Sequence, residues 1–533
     1  MKIVVAEKIS PAALALLRGQ PGWTVVTPEQ FRGKLGDELA AADALIVRSA
    51  VQVDAALLKL APRLRVVGRA GVGVDNIDLA AATKLGVAVM NTPGANAVAV
   101  AEITLGLMIA MARHLPRADR LLHAGQWEKK SLQGTELRGK KLGIVGLGRI
   151  GMEVARRARA FGMTVVAHDP FVSAGAAREL GIALIALEEL YAASDYVTLH
   201  VALTPQNAGM INAAALAQMK KGARLVNCAR GELVDEAALA AALRSGHLAG
   251  AALDVFYVEP PRDSPLLALD NVILTPHIAG STHEAQDAVG VQIAEQVREY
   301  LLRGVILNAV NVPSVSADEY AQLAPYIALG EKLGALIVQL SDGAPQELSI
   351  RYSAMMKEWK TELLRNAVIS GVLNHVMAEK ANLVNAAQIA AERGLRLHES
   401  RSDKAPTGGA GNVLSVLLKT ATEERMVRGA VLHGHAPRLL GIDDIDVEAP
   451  LDGHLVFLRN RDVPGVIGRI GTILGAHDIN IANFSLGRRE ARSSAAAARE
   501  AVAVVHVDTA VPAAVIAELK GIDAVLFARA LSV

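Results

Sequence analysis

The segment Leu142-Gly-Ile-Val-Gly146-Leu-Gly148-Arg-Ile-Gly151 constrains the fold more than any other stretch of this chain. An apolar run leads into three glycines spaced G-x-G-x-x-G, and the helix-compatible run 152–161 follows. Eighteen positions past the last glycine, Asp169 closes the next apolar run, TVVAHD. Gly146, Gly148 and Gly151 let the chain turn tightly and let backbone N–H groups approach a pyrophosphate at a helix N-terminus. A lone G-x-G-x-x-G is common. A strand before it, a helix after it and the downstream acid make this one a dinucleotide site. Asp169 would hydrogen-bond the adenosine ribose hydroxyls and repel a 2′-phosphate, which favours NAD over NADP.

The same rhythm extends to both sides. Strands are expected at 2–6, 44–47, 65–68 and 87–91, with helices at 11–17 and 97–112. Further strands follow at 142–145, 164–168, 196–200, 224–228, 251–255 and 272–275. Strands alternating with helices imply βαβ units and parallel sheets, here two α/β layers in series. At roughly 150 residues per domain, 533 residues imply three to five domains. Character changes after Asn308, where Asn311-Val-Pro-Ser-Val-Ser316 has the Pro/Ser signature of a linker. A third segment runs to about 450, helical at 319–339, 358–365 and 381–393, with a glycine-rich turn at Thr407-Gly-Gly-Ala-Gly411. A second break is read at Val447-Glu-Ala-Pro-Leu-Asp-Gly453. Beyond it come strand 454–459, helix 464–476, strands 479–486 and 501–507, helix 512–519 and strand 524–531, the βαββαβ order of a ferredoxin-like unit. The run 491–500 reads as an exposed loop or short helix.

Composition excludes several classes of function. The 55 basic and 54 acidic side chains cancel, and seventeen aromatics offer few stacking platforms, so no nucleic-acid partner is expected. The apolar stretch 97–112 carries Glu102 and falls short of the roughly 20 residues a spanning helix requires, so no membrane partner is expected either. The N-terminus lacks a signal-peptide core, and a cytoplasmic location is the expectation. The single cysteine, Cys228, excludes an intrachain disulfide and a Cys-rich zinc site; no metal is expected.

A nicotinamide enzyme acting on a hydroxyl needs a proton acceptor and a group that holds the substrate. His277, in Thr275-Pro-His277-Ile-Ala-Gly280, follows a strand end, where ligands collect in parallel sheets, and histidine titrates near neutrality. Glu259, in Val258-Glu-Pro-Pro261, would orient the ring and stabilise its protonated form. Arg230, in Asn227-Cys-Ala-Arg-Gly231, would hold an α-carboxylate bidentately. Each alone has a bland reading as a surface or structural group. Three at successive strand ends, downstream of a nucleotide loop, do not.

With Asp169, the segments GLGRIG (146–151), NCARGELVDEAAL (227–239), ALDVFYVEP (252–260) and TPHIAG (275–280) resemble the D-2-hydroxyacid dehydrogenase family. Over essentially the whole chain the resemblance narrows to the long-form D-3-phosphoglycerate dehydrogenases, with RAGVGVDNID (69–78) and NTPGANAVAVAE (91–102) matching substrate-domain segments. It implies two Rossmann-like or flavodoxin-like parallel-sheet domains, an α+β intervening domain and a ferredoxin-like ACT domain. The implied limits are 1–98 with 283–310 for substrate, 99–282 for NAD, 317–450 for the intervening domain and 453–533 for ACT. It implies Arg230 as substrate anchor, Glu259 as the histidine's partner and His277 as acid/base. Cofactor contacts are implied at Arg149, Ile150, Asp169, Val201, Cys228, Ala229, Arg230, Asp254 (to the nicotinamide amide) and His277 through Gly280. Glu232 departs from the family, where Gly is frequent; Val72 and Val201 stand where some relatives have Thr, which removes a hydroxyl contact.

For a phosphorylated substrate the family picture points to Arg48 with Ser49, and to Arg69 before Gly71 and Gly73. Asn96 matches a substrate-contacting position, with helix capping an equally good explanation. In the ACT module, Asn460, Asp462, Asn480 and Ile481 are the implied effector residues and L-serine the implied effector. HGHAPR (433–438) offers cations for an anion. The implied substrate is 3-phosphoglycerate and the implied assembly a homo-oligomer, a dimer or tetramer. Two rivals remain: a sister dehydrogenase for an unphosphorylated 2-hydroxy acid, and an NAD-sensing binding protein without catalysis.

Overall fold

Short Val/Ile-rich runs, buried on both faces as a helix-covered parallel sheet requires, build the N-terminal layer of the computed structural model. They are β1 (Lys2–Val5), β2 (Thr24–Val26), β3 (Ala44–Val47), β4 (Val66–Arg69) and β5 (Ala88–Met90), in the flavodoxin-like order β2-β1-β3-β4-β5. The described residues are 1–377, 380–403, 411–489 and 500–533; most of the 407–411 turn and of the 491–500 run lies outside them.

The second layer contains β6 (Lys141–Val145), β7 (Thr164–His168), β8 (Ala183–Leu184), β9 (Tyr196–Leu199), β10 (Arg224–Asn227), β11 (Gly250–Leu253) and β12 (Val272–Leu274). Its order is β12-β11-β10-β9-β6-β7-β8, all parallel. The order reverses between β6 and β9, which opens a crevice at their carboxyl ends, the place where such sheets take a dinucleotide. The chain crosses between the layers twice. Helix Ala97–Ala112 is apolar nearly all round because it is buried against the second sheet, among Leu142, Ile144 and Val226. Helix His283–Arg303 returns to the first sheet, capped by Thr282 Oγ1 at the Ala285 N–H (3.1 Å), and lays Ile293 and Val297 against Gly68.

The stretch 311–316 is docked rather than free. Asn311 accepts from the Val89 N–H (2.8 Å) and donates to Thr83 Oγ1 (3.0 Å) and the Val87 carbonyl (2.9 Å), extending the edge of β5. Buried Val312 and Val315 add apolar contact. Pro and Ser mark a change of direction here, and tertiary hydrogen bonds fix it.

The intervening domain holds a mixed sheet: β13 (Pro345–Ser353), β14 (Arg396–Ser402), β15 (Val413–Thr420), β16 (Glu424–Leu432), β17 (Ala436–Ile442) and β18 (Ile445–Pro450), ordered β14-β13-β15-β16-β17-β18. Helices Ala317–Leu340 and Glu362–Val376 pack on each other beside it. The helix expected at 358–365 begins at Glu362, after a 3₁₀ turn over Ala354–Glu358. The break expected at 447–453 is mostly strand, since Ile445, Val447 and Ala449 face the core while Asp446 and Glu448 face out. Asp318–Leu340 is long and apolar enough to cross a membrane, but Leu329, Leu333, Leu336 and Ile337 are buried in the core it shares with this sheet. The last module has β19 (His454–Arg461), β20 (Ile481–Arg488), β21 (Glu500–Val507) and β22 (Val525–Ser532) in antiparallel order β20-β21-β19-β22, with helices Val466–Ala476 and Ala513–Lys520.

Candidate active site

Strand ends of both parallel sheets face one cleft of about 640 Å3. From the second sheet come Arg230, Glu259, His277 and Gly280; from the first come Arg48, Ser49, Arg69, Gly71 and Gly73, with Asn96 between them. His277 Nδ1 lies 2.8 Å from Glu259 Oε2, and Glu259 Oε1 accepts the Phe256 N–H at 3.1 Å. The carboxylate is thus fixed by its own loop. With Glu259 ionised, Nδ1 carries the ring proton and Nε2 is left as an acceptor toward the cleft.

His277 stands at φ 53°, a left-handed conformation that a non-glycine residue adopts at a cost. Asp254 maintains it. Fully buried, its carboxylate accepts from Thr275 Oγ1 (2.5 Å) and the N–H groups of Ile278 (2.9 Å) and Ala279 (2.7 Å). Its own carbonyl takes the His277 N–H at 2.8 Å. Asp254 lies behind the His277 loop, and its carboxylate fastens that loop in place.

Arg230 follows β10 in a turn built by Asn227, which accepts the Ala229 N–H (3.0 Å) and donates to the Arg230 carbonyl (2.8 Å). Arg69 is half-buried, and its buried Nε has no partner. Burial first, and then the neighbouring Arg230 guanidinium, lower its pKa; Asp75 and Glu7 only partly offset them. It is a cation short of counter-charge, the environment that recruits an anion. The loop Arg48–Val51 is gathered by Glu7, whose carboxylate accepts the N–H groups of Arg48 (2.8 Å), Val51 (3.1 Å) and Ala50 (3.2 Å). Asn96 makes no capping hydrogen bond, and its buried Oδ1 is unpartnered in the cleft wall. Capping therefore does not explain it.

On the cofactor side, Gly146 takes φ 93°, and a Cβ on Gly151 would collide with the Gly146 carbonyl. Helix Arg149–Ala160 starts at Gly148 with no side-chain cap, and Gly148 faces open space, so its first N–H groups are free for a pyrophosphate. Asp169 holds this loop by accepting the Leu147 and Phe171 N–H groups (2.8 Å each), with acceptor capacity left on both oxygens. These features fit NAD. Arg149 donates to the Pro93 carbonyl across the domain boundary. Ile150 packs on the apolar cluster beneath the loop, and Val201 abuts Gly146. The Cys228 side chain is buried in that same cluster, its thiol pushed up to about 12 by burial, so only backbone atoms of Cys228 and Ala229 are on offer. His200, unflagged by the sequence, sits at the end of β9 with Nε2 3.0 Å from Thr198 Oγ1 and a buried, unpartnered Nδ1; burial pushes its pKa down to about 3.

Residues 105–279 match the model described as D-isomer specific 2-hydroxyacid dehydrogenase, NAD binding domain. Residues 322–443 match the D-3-phosphoglycerate dehydrogenase intervening domain, and 454–524 the ACT domain. The D-3-phosphoglycerate dehydrogenase of Methanocaldococcus jannaschii is 39% identical over 98% of this chain and 98% of its own length. The chain belongs to the D-3-phosphoglycerate dehydrogenase family. A Bacillus subtilis member is 42% identical over 85% of this chain and 86% of its own length. The Arabidopsis thaliana D-3-phosphoglycerate dehydrogenase 2, 40% identical over 93% of this chain and 82% of its own length, is chloroplastic, so membership does not fix a compartment. Among solved structures, the D-lactate dehydrogenase of Aquifex aeolicus complexed with NAD and lactic acid covers 58% of this chain and 100% of its own (TM-score 0.52, 29% identity). The NAD-dependent formate dehydrogenase of Staphylococcus aureus in complex with NAD covers 59% and 100% (TM-score 0.52, 29% identity).

The ACT module of this family member does not gather the four expected effector residues within one chain. Asn460 lies level with Ala501 and Arg488, whereas Ile481 lies level with Val507 and His454. Six strand positions separate the two pairs, about 20 Å at ~3.3 Å per residue. Asp462 is paired with Arg488 (3.0 Å) and Asn480 with Asp508 (2.8 Å), while buried Asn460 keeps an unpartnered Oδ1. Linear order put them together, and strand register moved them apart.

Sequence reasoning also missed Asp75, Asn76 and Glu7. Glu7 had a signal, an acid two residues past a strand, the logic already applied to Asp169. Asp75 had none, because its partner is 155 positions away. Glu232 lines the cleft, so its departure from the family bears on the site.

Proposed function

We propose that this chain is an NAD-dependent D-3-phosphoglycerate dehydrogenase that oxidises D-3-phosphoglycerate to 3-phosphooxypyruvate, the first step of L-serine biosynthesis. One observation carries the reading: the His277–Glu259 pair shares its cleft with Arg230 and with the half-buried, under-compensated Arg69. Arg230 takes the substrate carboxylate, and Arg69 with Arg48 takes the phosphate. Nε2 of His277 accepts the C2 hydroxyl proton, and Glu259 stabilises the imidazolium that forms. NAD, its pyrophosphate held by the Gly146–Gly151 loop, would supply the acceptor for the C2 hydride. Asn96 and the backbone of Gly71 and Gly73 supply further donors. We assign substrate binding to 1–98 with 283–310, NAD binding to 99–282, and regulation to 317–450 and 453–533. The ACT domain supports effector binding, with L-serine the reading we favour, in a homo-oligomer whose neighbouring subunits complete the divided effector set.

The test is NADH formation from D-3-phosphoglycerate, D-glycerate and D-lactate, each with and without millimolar L-serine. A clear preference in kcat/KM for the phosphorylated acid is expected. Equal or better turnover of the unphosphorylated acids would move the chain to its sister activity, and no turnover of any acid would leave an NAD-binding protein. Serine without effect would remove the feedback assignment.

A further inference from the structure

Arg230 belongs to the second sheet, yet its guanidinium lands on the first. Asp75 Oδ2 accepts from Arg230 Nε at 3.1 Å and lies 3.1 Å from Nη2, while Nη1 donates to the Ala229 carbonyl at 2.7 Å. A Cβ on Gly73 would collide with Nη2, so the guanidinium packs directly on that backbone. Of five guanidinium N–H donors, these contacts engage the Nε/Nη2 edge and one Nη1 hydrogen. The end-on Nη1/Nη2 fork is what remains, and that fork matches a carboxylate.

The loop that carries Asp75 is itself firmly held. Asn91 Nδ2 donates to the Val72 carbonyl (2.5 Å), and Asn76 Nδ2 donates to the carbonyls of Arg48 (2.9 Å) and Val51 (2.7 Å). Asp75 is therefore a fixed post on the substrate domain, and Arg230 a long, rotamer-rich side chain reaching it from the nucleotide domain.

We propose that Asp75 is a positioning residue: it grips the side edge of Arg230 across the cleft so that the end fork is presented to the substrate carboxylate. The proposal rests on Arg230 being the carboxylate anchor of the proposed function. Presentation then depends on the two α/β domains standing at the separation seen here, since the post and the arginine lie on different domains. The carboxylate side chain of Asp75 is 65% exposed against 26% for Arg230, so the contact orients a cation rather than burying a charge pair.

The experiment is a malonate titration of the full-length chain by calorimetry, which reads the carboxylate anchor without turnover, alongside KM and kcat on D-3-phosphoglycerate. Asp75→Ala is expected to weaken malonate about fivefold and to raise KM by a similar factor, with kcat falling less. Asp75→Asn keeps an oxygen acceptor for both N–H groups and should recover part of the loss. In an Arg230→Lys background, which has no fork to present, Asp75→Ala should change malonate affinity little. Unchanged or tighter malonate binding by Asp75→Ala would overturn the proposal and make Asp75 a competitor for the arginine. Wild-type protein that fails to bind malonate would overturn it as well. Failure of the proposed function shows separately, as a wild-type chain that makes no NADH from D-3-phosphoglycerate.

Discussion

Replacing Asp254 by Ala should unfasten the loop that carries His277 without dismantling the sheet beneath it. The carboxylate is fully buried and receives three hydrogen bonds, from Thr275 Oγ1 and the N–H groups of Ile278 and Ala279. Bonds to a charged group contribute about 1.5–3 kcal/mol each, a gross sum of about 5–9 kcal/mol. Much of that is recovered. The Asp254 carbonyl still takes the His277 N–H, Gln286 Nε2 still donates to the Gly280 carbonyl at 2.9 Å, and exposed Ile278 lets water reach the freed amides. A net loss of about 2–4 kcal/mol follows, felt first in the loop. Freed from Asp254, His277 relaxes from its left-handed conformation and its ring leaves Glu259. A displacement of ~1 Å at a reacting group costs about a hundredfold, so kcat should fall by about that factor. Asp254→Asn keeps one acceptor but turns an NH2 group on the Ala279 N–H, and should fall between. The assays are steady-state kinetics and hydrogen exchange of the amides at 277–280. Alanine-variant turnover within about twofold of wild type, with unchanged exchange, would refute the reasoning. If Asp254 instead holds the nicotinamide amide, the Asn variant weakens NAD binding while exchange in the loop stays slow.

His277→Ala should lower kcat by about 10²–10⁴ with NADH affinity, followed by fluorescence, little changed; unaltered turnover would sink the acid/base assignment. Cys228, buried with its thiol pushed up to about 12, should resist iodoacetamide at pH 8 in the folded chain and react on unfolding, as mass spectrometry would read. His200, held near 3 when folded against about 6.5 when unfolded, binds a proton in the unfolded chain first, so stability falls as pH drops below 6.5. At pH 5 that amounts to about 2 kcal/mol, and His200→Gln should flatten the difference in urea midpoint between pH 8 and 5. Glu7→Ala should raise KM several-fold for D-3-phosphoglycerate and less for D-glycerate, because it loosens the Arg48 loop; an equal effect on both acids would detach Arg48 from the phosphate.

The sequence by itself determined what is local. The glycine spacing with Asp169, the Val/Ile runs and the three strand-end residues Arg230, Glu259 and His277 need only neighbours in sequence, since strand ends in parallel sheets converge on one edge. The β18 strand was hidden because Pro450 and Gly453 outweighed the Ile445/Val447/Ala449 alternation. Only tertiary structure decided the rest. Asp254 became an anchor because a carboxylate with no access to water must take every donor near it, and those donors came from a loop more than twenty positions away. Asn460 and Asn480 separated because strand register, not chain distance, sets who is adjacent. Asp75 met Arg230 because two domains folded against each other, and a charge pair across such a boundary leaves no mark in either segment.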